Sequence, residues 1–367
     1  MLLTAFIKIF CNARLIYNSL CPYCSFYSEK NIDESIKKKY INALIAEIAS
    51  FDNKQFDTVY IGGGTPSSLH YKLLDKLVDN IIKLIDYKGA EWTIEANPES
   101  TDSNFLSLIK SSPVSRVSLG VESFDDDVLK LLGRLHSAEK AEQAAEDILS
   151  TGKQLNIDMI YDIPYTDSKK SISTLNKIIS IHPHHISAYS YDYADTLYLK
   201  DGVQDDETLF EEVERICCEF GYYKYETSNF SLPDKHSRHN CLYWQGEEYK
   251  GAGSAAHSMV LLEENKRKRY NHKDSIEEYI KNPYNIDNQE IISESDALLE
   301  DIIFGLRMKK GINLYNLEKK FGKIDKSLLN KIEKNIKLGL LEKDDVWLKT
   351  TQKGSLVLES LSCSLLP

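Results

Sequence analysis

Asp57-Thr58-Val59-Tyr60-Ile61-Gly62-Gly63-Gly64-Thr65-Pro66 is the stretch on which the fold turns. Asp57–Ile61 reads as a short apolar strand, and the three glycines end it. Residues Leu69–Ile85 follow with helical spacing. Upstream, Thr4–Phe10 reads as a first strand, not a signal peptide, since its one lysine has no small-residue cleavage site behind it. Then comes a helix over Glu34–Ser50, apolar at Tyr40, Ile41, Leu44, Ile45 and Ile48, with Asp33 as its cap. Downstream, strands at Glu91–Glu95, Val114–Leu119, Leu155–Ile160 and His185–Ser190 alternate with helices at Asp102–Lys110, Asp126–Leu132, Ala138–Ser150 and Ser171–Ile181. Strand–helix alternation, six times over, argues a parallel sheet with helical crossovers. The expectation is an α/β fold, a partial (β/α)6 barrel of TIM type, whose site lies at the strand C-terminal ends.

Beyond the sixth strand the pattern changes. Glu207–Phe220 reads as a helix and Tyr222–Thr227 as a strand. Ser231–Asn271 has poor periodicity and dense polar residues, Lys266–Arg269 within it reads as a solvated hairpin tip, and Asn282–Asn288 reads as a linker. Three helices then follow, at Ser295–Lys309, Leu314–Phe321 and Ser327–Leu338, with a hairpin over Leu340–Leu348 turning at Asp344-Asp345. Helices followed by a wing suggest a small C-terminal winged-helix-like domain. Its lysines and arginines barely outnumber its acids, and the whole chain carries a net charge of −11, which argues against nucleic acid as a partner. No apolar run reaches the roughly 18 residues of a membrane span. Seven cysteines in 367 residues make no disulfide framework. Cys11, Cys21 and Cys24 cluster while Cys217, Cys218, Cys241 and Cys363 scatter, a usage suited to a reducing cytoplasm.

The residues that carry chemistry leave several readings open. Cys21-Pro22-Tyr23-Cys24 can be a zinc half-site, part of an iron–sulfur site, a redox pair or two unrelated thiols. Three glycines after a strand let a ligand approach the backbone and offer N–H groups to a carboxylate or phosphate, or simply make a tight turn. The Gly-Lys-Ser/Thr end of a phosphate loop is absent, as is dinucleotide-fingerprint spacing. Glu95, ahead of Ala96-Asn97-Pro98-Glu99, is a solvated loop carboxylate or a ligand for a ribose hydroxyl or an amine. Asp158 lies inside an apolar strand, where a charge is costly unless paired, and Arg134 is its candidate partner or a surface residue. In His239-Asn240-Cys241-Leu242-Tyr243-Trp244 the histidine is a haem ligand or a packed structural side chain. His184-His185 read as ordinary loop and strand residues, and Cys217-Cys218 as one core and one surface thiol on a helix.

Taken in order, Cys21–Ser28, Gly62–Ser67, Glu95–Glu99, Ser118–Phe124, Leu131–Ser137, Ile157–Tyr161, His185–Ser190 and Tyr225–Phe230 resemble radical SAM proteins of the coproporphyrinogen III oxidase-like group. The resemblance runs from about Phe6 to Leu361, and the tail resembles the group's C-terminal domain. Phe26 stands where the oxidase has a further cysteine, and His239-Asn240-x-x-Tyr243-Trp244 matches the haem-linked motif of the HemW-like haem chaperone branch. The resemblance implies a radical SAM barrel over 1–230, a connecting region with the haem-linked motif over 231–290, and a winged-helix-like domain over 291–367. It implies a [4Fe–4S] cluster on Cys11, Cys21 and Cys24, with S-adenosylmethionine (SAM) chelating the open iron. Gly63, Gly64 and Thr65 would meet the methionine part of SAM, and Glu95, Glu122, Arg134 and Asp158 the rest. His239, Asn240, Tyr243 and Trp244 would belong to the haem site, with delivery of haem to acceptor proteins, respiratory ones among them, compatible with peripheral membrane association. A radical SAM oxidase or methyltransferase is the alternative, and a haem binder without a cluster the third.

Four departures stand out. The group spaces its cysteines C-x3-C-x2-C, but Tyr17 stands four before Cys21, so either Cys11 is the first ligand across a longer loop or that ligand is lost. A longer loop costs only about 0.6 kcal/mol per doubling of length. Glu122 replaces a usual glutamine, and Asp162 and Tyr165 replace glycines, which would narrow the barrel mouth.

Overall fold

The computed structural model describes residues 5–10, 33–191 and 207–367. Strand and helix alternate as β1 (Ala5–Phe10), α1 (Glu34–Ala49), β2 (Thr58–Gly62), α2 (Tyr71–Leu84), β3 (Glu91–Ala96), α3 (Ser103–Ser111) and β4 (Arg116–Glu122). They continue as α4 (Asp126–Leu131), α5 (Ala138–Ser150), β5 (Gln154–Tyr161), α6 (Ser168–Ile181), β6 (His185–Ser190) and α7 (Glu207–Glu219). Strands β1 to β6 pair in parallel and in chain order, which is the partial barrel. The helices start where a side chain takes over a backbone donor: Asp33 caps α1, Asp102 caps α3 and Ser137 caps α5.

Each inner strand has two chemically different faces. Val59 and Ile61, Trp92 and Ile94, Val117 and Leu119, Leu155, Ile157 and Met159 are buried beneath the helices. The alternate positions are polar: Thr58 and Tyr60, Glu91, Thr93 and Glu95, Arg116 and Ser118, Asn156 and Asp158, His185 and Ser187. Side chains alternate along a strand, so this second set lines the barrel lumen. Burial outside holds the barrel closed, and polar groups inside must satisfy one another.

The middle of the chain departs from the expectation. Strand is limited to β7 (Tyr223–Lys224) where Tyr222–Thr227 was expected, followed by β8 (Asn229–Ser231), antiparallel to β6. The segment of poor periodicity folds as α8 (Arg238–Trp244), β9 (Glu248–Ala252), β10 (His257–Leu261) and β11 (Arg267–His272). After α9 (Ile276–Lys281), the stretch read as a linker enters β12 (Ile286–Ile292). β9 pairs in parallel with β1, and β10, β11 and β12 add antiparallel strands, so one sheet runs β12-β11-β10-β9-β1-β2-β3-β4-β5-β6-β8-β7. Six of the seven residues of β12 are exposed, as in an edge strand, which is why its hydrophobic pattern was weak.

A buried polar knot ties α1 to this extension. Glu47 accepts from the Gly253 N–H at 3.0 Å, from the Tyr279 hydroxyl, and pairs with His272 Nε2 at 2.7 Å. Burial pulls the His272 pKa down, but the hydrogen bond and charge of Glu47 outweigh it, and the net shift is upward. A raised folded-state pKa stabilises fully below the unfolded value near 6.5 and is lost as pH rises through the folded value. Urea melts should therefore show stability falling above about pH 6.5, and His272→Gln should flatten that part of the profile.

The C-terminal domain has its own core of Ile302, Leu306, Leu317, Ile332, Leu348 and Leu361, among others. It comprises α10 (Glu294–Gly305), β13 (Ile312–Asn313), α11 (Leu314–Phe321), α12 (Lys326–Lys337), β14 (Leu341–Asp344), β15 (Trp347–Thr350), α13 (Gln352–Leu356) and α14 (Leu358–Leu365). The three helices and the wing hairpin stand where expected; β13 joins the wing as a third strand, and α13 and α14 are additional. Arg267, expected at a solvated tip, is instead buried in β11 and paired with Glu300 at 3.0 Å and with Asp301.

Candidate functional site

The strand C-terminal ends gather the expected mouth residues. Gly63 follows β2 in a left-handed conformation, φ +78°, and its N–H donates to Glu95 Oε2 at 2.9 Å. Tyr60 donates its hydroxyl to the other oxygen, Oε1, at 2.8 Å. Glu95 can lie across β2 only because Gly62 has no side chain: a Cβ there would collide with the carboxylate. Thr65 accepts from Asn97 Nδ2 at 3.1 Å, which fixes the glycine loop to the end of β3. Gly64 lies between these two attachments.

Arg134 is buried at the mouth, not on the surface. It donates to Asn97 Oδ1 at 3.0 Å and to the Gly120 carbonyl at 2.5 Å, and pairs with Glu122 at 3.7 Å. Asp158 is therefore not its direct partner. Ser118 and Asn156 donate to Asp158 at 3.0 and 2.8 Å. Burial pushes the Asp158 pKa up, against these hydrogen bonds and the Arg134 charge. Burial also pushes Glu99 up, but the His136 hydrogen bond and the Arg134 charge overcome it and hold Glu99 below its usual range.

Three of the departures from the group are backbone matters. Glu122, Asp162 and Tyr165 have φ of +65°, +59° and +59°. The last two stand where the group has glycine, and the left-handed backbone gives the physical reason. Such a conformation costs roughly 1–2 kcal/mol for an L-residue, against about 0.5–1 kcal/mol for the extra chain entropy of glycine. Tyr165 is exposed, so Tyr165→Gly should gain about 0.5 kcal/mol in urea denaturation.

The donor set suits SAM. A carboxylate at Glu95 can accept from an ammonium, glycine-loop N–H groups can donate to a carboxylate, and Glu122, Asp158 and Arg134 offer partners for a ribose and a base. Cys11, Cys21 and Cys24 lie outside the described residues. β1 itself ends at the mouth, where Phe10 pairs with Gly62.

His239, Asn240, Tyr243 and Trp244 are not at the mouth. They lie on α8, which closes the opposite end of the barrel, roughly 13 Å away along β2 at about 3.3 Å per residue. His239 Nδ1 bonds Thr58 Oγ1 at 2.8 Å, at the start of β2, and its ring stacks on Tyr60 at 4.8 Å. Glu91, at the start of β3, accepts the N–H groups of Arg238 and His239, both at 3.1 Å. The Asn240 N–H is held by the Ser237 cap. Tyr243 stacks on Tyr249, and Trp244 donates to Glu226 at 3.0 Å and lies under Arg307 of the C-terminal domain.

Several residues of this framework escaped the sequence reading: Tyr60, Glu91, Asn156, Ser187 and Glu226. His185, read as ordinary, is buried between Asn156 at 2.6 Å and the Tyr225 hydroxyl at 2.8 Å. The signal was available as polar residues recurring every second position within apolar strands.

Comparisons with known proteins bear on the family and the fold. The model of the radical SAM superfamily matches residues 9–173, and that of the HemN C-terminal domain residues 292–357. The Heme chaperone HemW of Lactococcus lactis is 30% identical over 350 residues, covering 91% of each chain. The Heme chaperone HemW of Escherichia coli is 28% identical over 357 residues, covering 93% of each. The crystal structure of Escherichia coli coproporphyrinogen III oxidase HemN, a radical SAM enzyme, superposes with a TM-score of 0.84 at 18% identity, over 99% of this chain and 90% of that one. At that identity the likeness speaks for the fold.

Proposed function

The chain belongs to the HemW family of radical SAM proteins, and we propose on that footing that it is a haem chaperone, binding haem and passing it to acceptor proteins. The observation that carries this reading is similarity to Heme chaperone HemW over 91% of both chains, supported by the hydrogen-bonded polar cluster of Gly63, Glu95, Asn97 and Arg134 at the strand C-terminal ends. Cys11, Cys21 and Cys24 would hold a [4Fe–4S] cluster, and Gly63, Gly64, Thr65, Glu95, Glu122, Arg134 and Asp158 would hold SAM. The cluster, when bound, supplies an open iron and an electron. The protein's part is to orient: Glu95 is fixed by Tyr60 and Gly63, and Arg134 by Asn97 and Gly120, before any ligand arrives.

His239, Asn240, Tyr243 and Trp244 are proposed as the haem-linked group. Direct ligation by His239 does not fit the present arrangement, because the side chain is 3% exposed, enclosed between Thr58 and Tyr60. Haem iron could reach it only after α8 lifts from the barrel floor. The cysteine usage fits a reducing cytoplasm, where haem-acceptor proteins, respiratory ones among them, would be met at the membrane surface. No helix among the described residues is long and apolar enough to cross a membrane. A cluster-free haem binder is the second reading, favoured by Tyr17 standing where the group has its first cysteine.

Haem titration followed by the Soret band tests the proposal. Saturable binding at one haem per chain, weakened at least tenfold in His239→Ala under conditions where circular dichroism shows the variant folded, is the expected result. Absence of saturable binding by the wild-type chain would refute it.

A further inference from the structure

We propose that Tyr60 is a positioning residue: a strut through the barrel lumen that holds the Glu95–Gly63 clasp at the mouth and is itself held from below by α8. The proposal builds on the reading of the mouth as the SAM site. Tyr60 is the middle residue of the inward face of β2, between Thr58 and Gly62. Its ring stacks on His239 at 4.8 Å with 32° between planes, and its hydroxyl donates to Glu95 at 2.8 Å. One side chain therefore touches both the floor helix and the carboxylate that accepts from Gly63 N–H.

Each contact fixes a different degree of freedom. The hydroxyl takes one carboxylate oxygen and the Gly63 N–H the other, so together they set the plane of the Glu95 carboxylate. The stack restrains the ring that carries the hydroxyl. His239 is in turn seated by Thr58 and by Glu91, which takes its backbone N–H. Burial, with the Glu95 and Asp158 charges, keeps the phenol protonated, so it remains a donor. A hydrogen bond to a charged group is worth enough for removal of the hydroxyl to loosen the clasp about tenfold or more.

Amide hydrogen exchange reads the clasp directly, on full-length protein without cluster or SAM. Tyr60→Phe, which keeps the stack and loses the hydroxyl, should raise exchange at the Gly63 amide about tenfold, while peptides of β4 and β5 keep their wild-type rates. His239→Ala, which keeps the hydroxyl and loses the stack, should raise exchange at the same amide by a smaller factor. After reconstitution, Tyr60→Phe should weaken SAM binding in equilibrium dialysis by about tenfold and leave the haem titration unchanged. Wild-type exchange at Gly63 in Tyr60→Phe would overturn the proposal, as would a rise spread evenly over β3, β4 and β5, which assigns Tyr60 a general packing role. Because the exchange experiment needs neither ligand, its failure leaves the haem reading standing, and a wild-type chain that binds no haem leaves the strut standing.

Discussion

Arg267→Ala should destabilise the chain by about 3–5 kcal/mol, the cost of removing one partner from a buried ion pair. The guanidinium is 1% exposed and pairs with Glu300 and Asp301 on α10, joining β11 of the large sheet to the C-terminal domain. Asp301 would keep Lys320 at 2.9 Å and Glu300 would keep Arg269 at 2.9 Å, so the lower end of the range is expected. Urea denaturation measures it. Arg269→Ala, at a more exposed position of the same network, should cost under about 1 kcal/mol, as partly exposed pairs do. Equal losses from the two variants would contradict the assignment of Arg267 as the buried tie.

Cys24→Ala should remove the cluster altogether, with iron and sulfide in the reconstituted protein falling at least tenfold. Three thiolates are needed for three irons, and neither Cys217 nor Cys241 is a good substitute. Cys217 is buried and burial pushes its thiol up to about 12; Cys241, on α8 at the far end of the barrel, is likewise pushed up to about 12. Thiols held protonated do not bind metal. Cys217→Ala should leave the iron content unchanged. Cys11→Ala decides the departure in cysteine spacing: a loss equal to that in Cys24→Ala makes Cys11 the third ligand.

How much of this was legible in the residues differs by element. The six strand–helix units were readable because outward faces such as Val59 and Ile61 or Leu155 and Ile157 carry strong apolar signals between good caps. The mouth was readable because Gly62–Gly64, Glu95 and Asp158 are costly residue types for a strand and its end. β9 to β12 were not, because β10, β11 and β12 extend the sheet with antiparallel strands and β12 exposes nearly its whole length, so no strong apolar period survives. The pairing of Arg134 with Glu122 in place of Asp158 depends on the bend of β4, where the register shifts between Gly120 and Glu122. Nothing local encodes that choice. The placement of His239 at the barrel floor follows from contacts with Thr58 and Glu91, each more than a hundred residues away in sequence, which periodicity cannot reveal.

The most direct measurement is anaerobic iron and sulfide reconstitution of the wild-type chain, followed by EPR of the reduced protein with and without SAM. A reduced [4Fe–4S] signal that shifts on adding SAM, in protein that also binds haem, is the predicted result. A chain that binds haem but assembles no cluster, or whose cluster signal ignores SAM, would contradict the cofactor site placed at this barrel mouth.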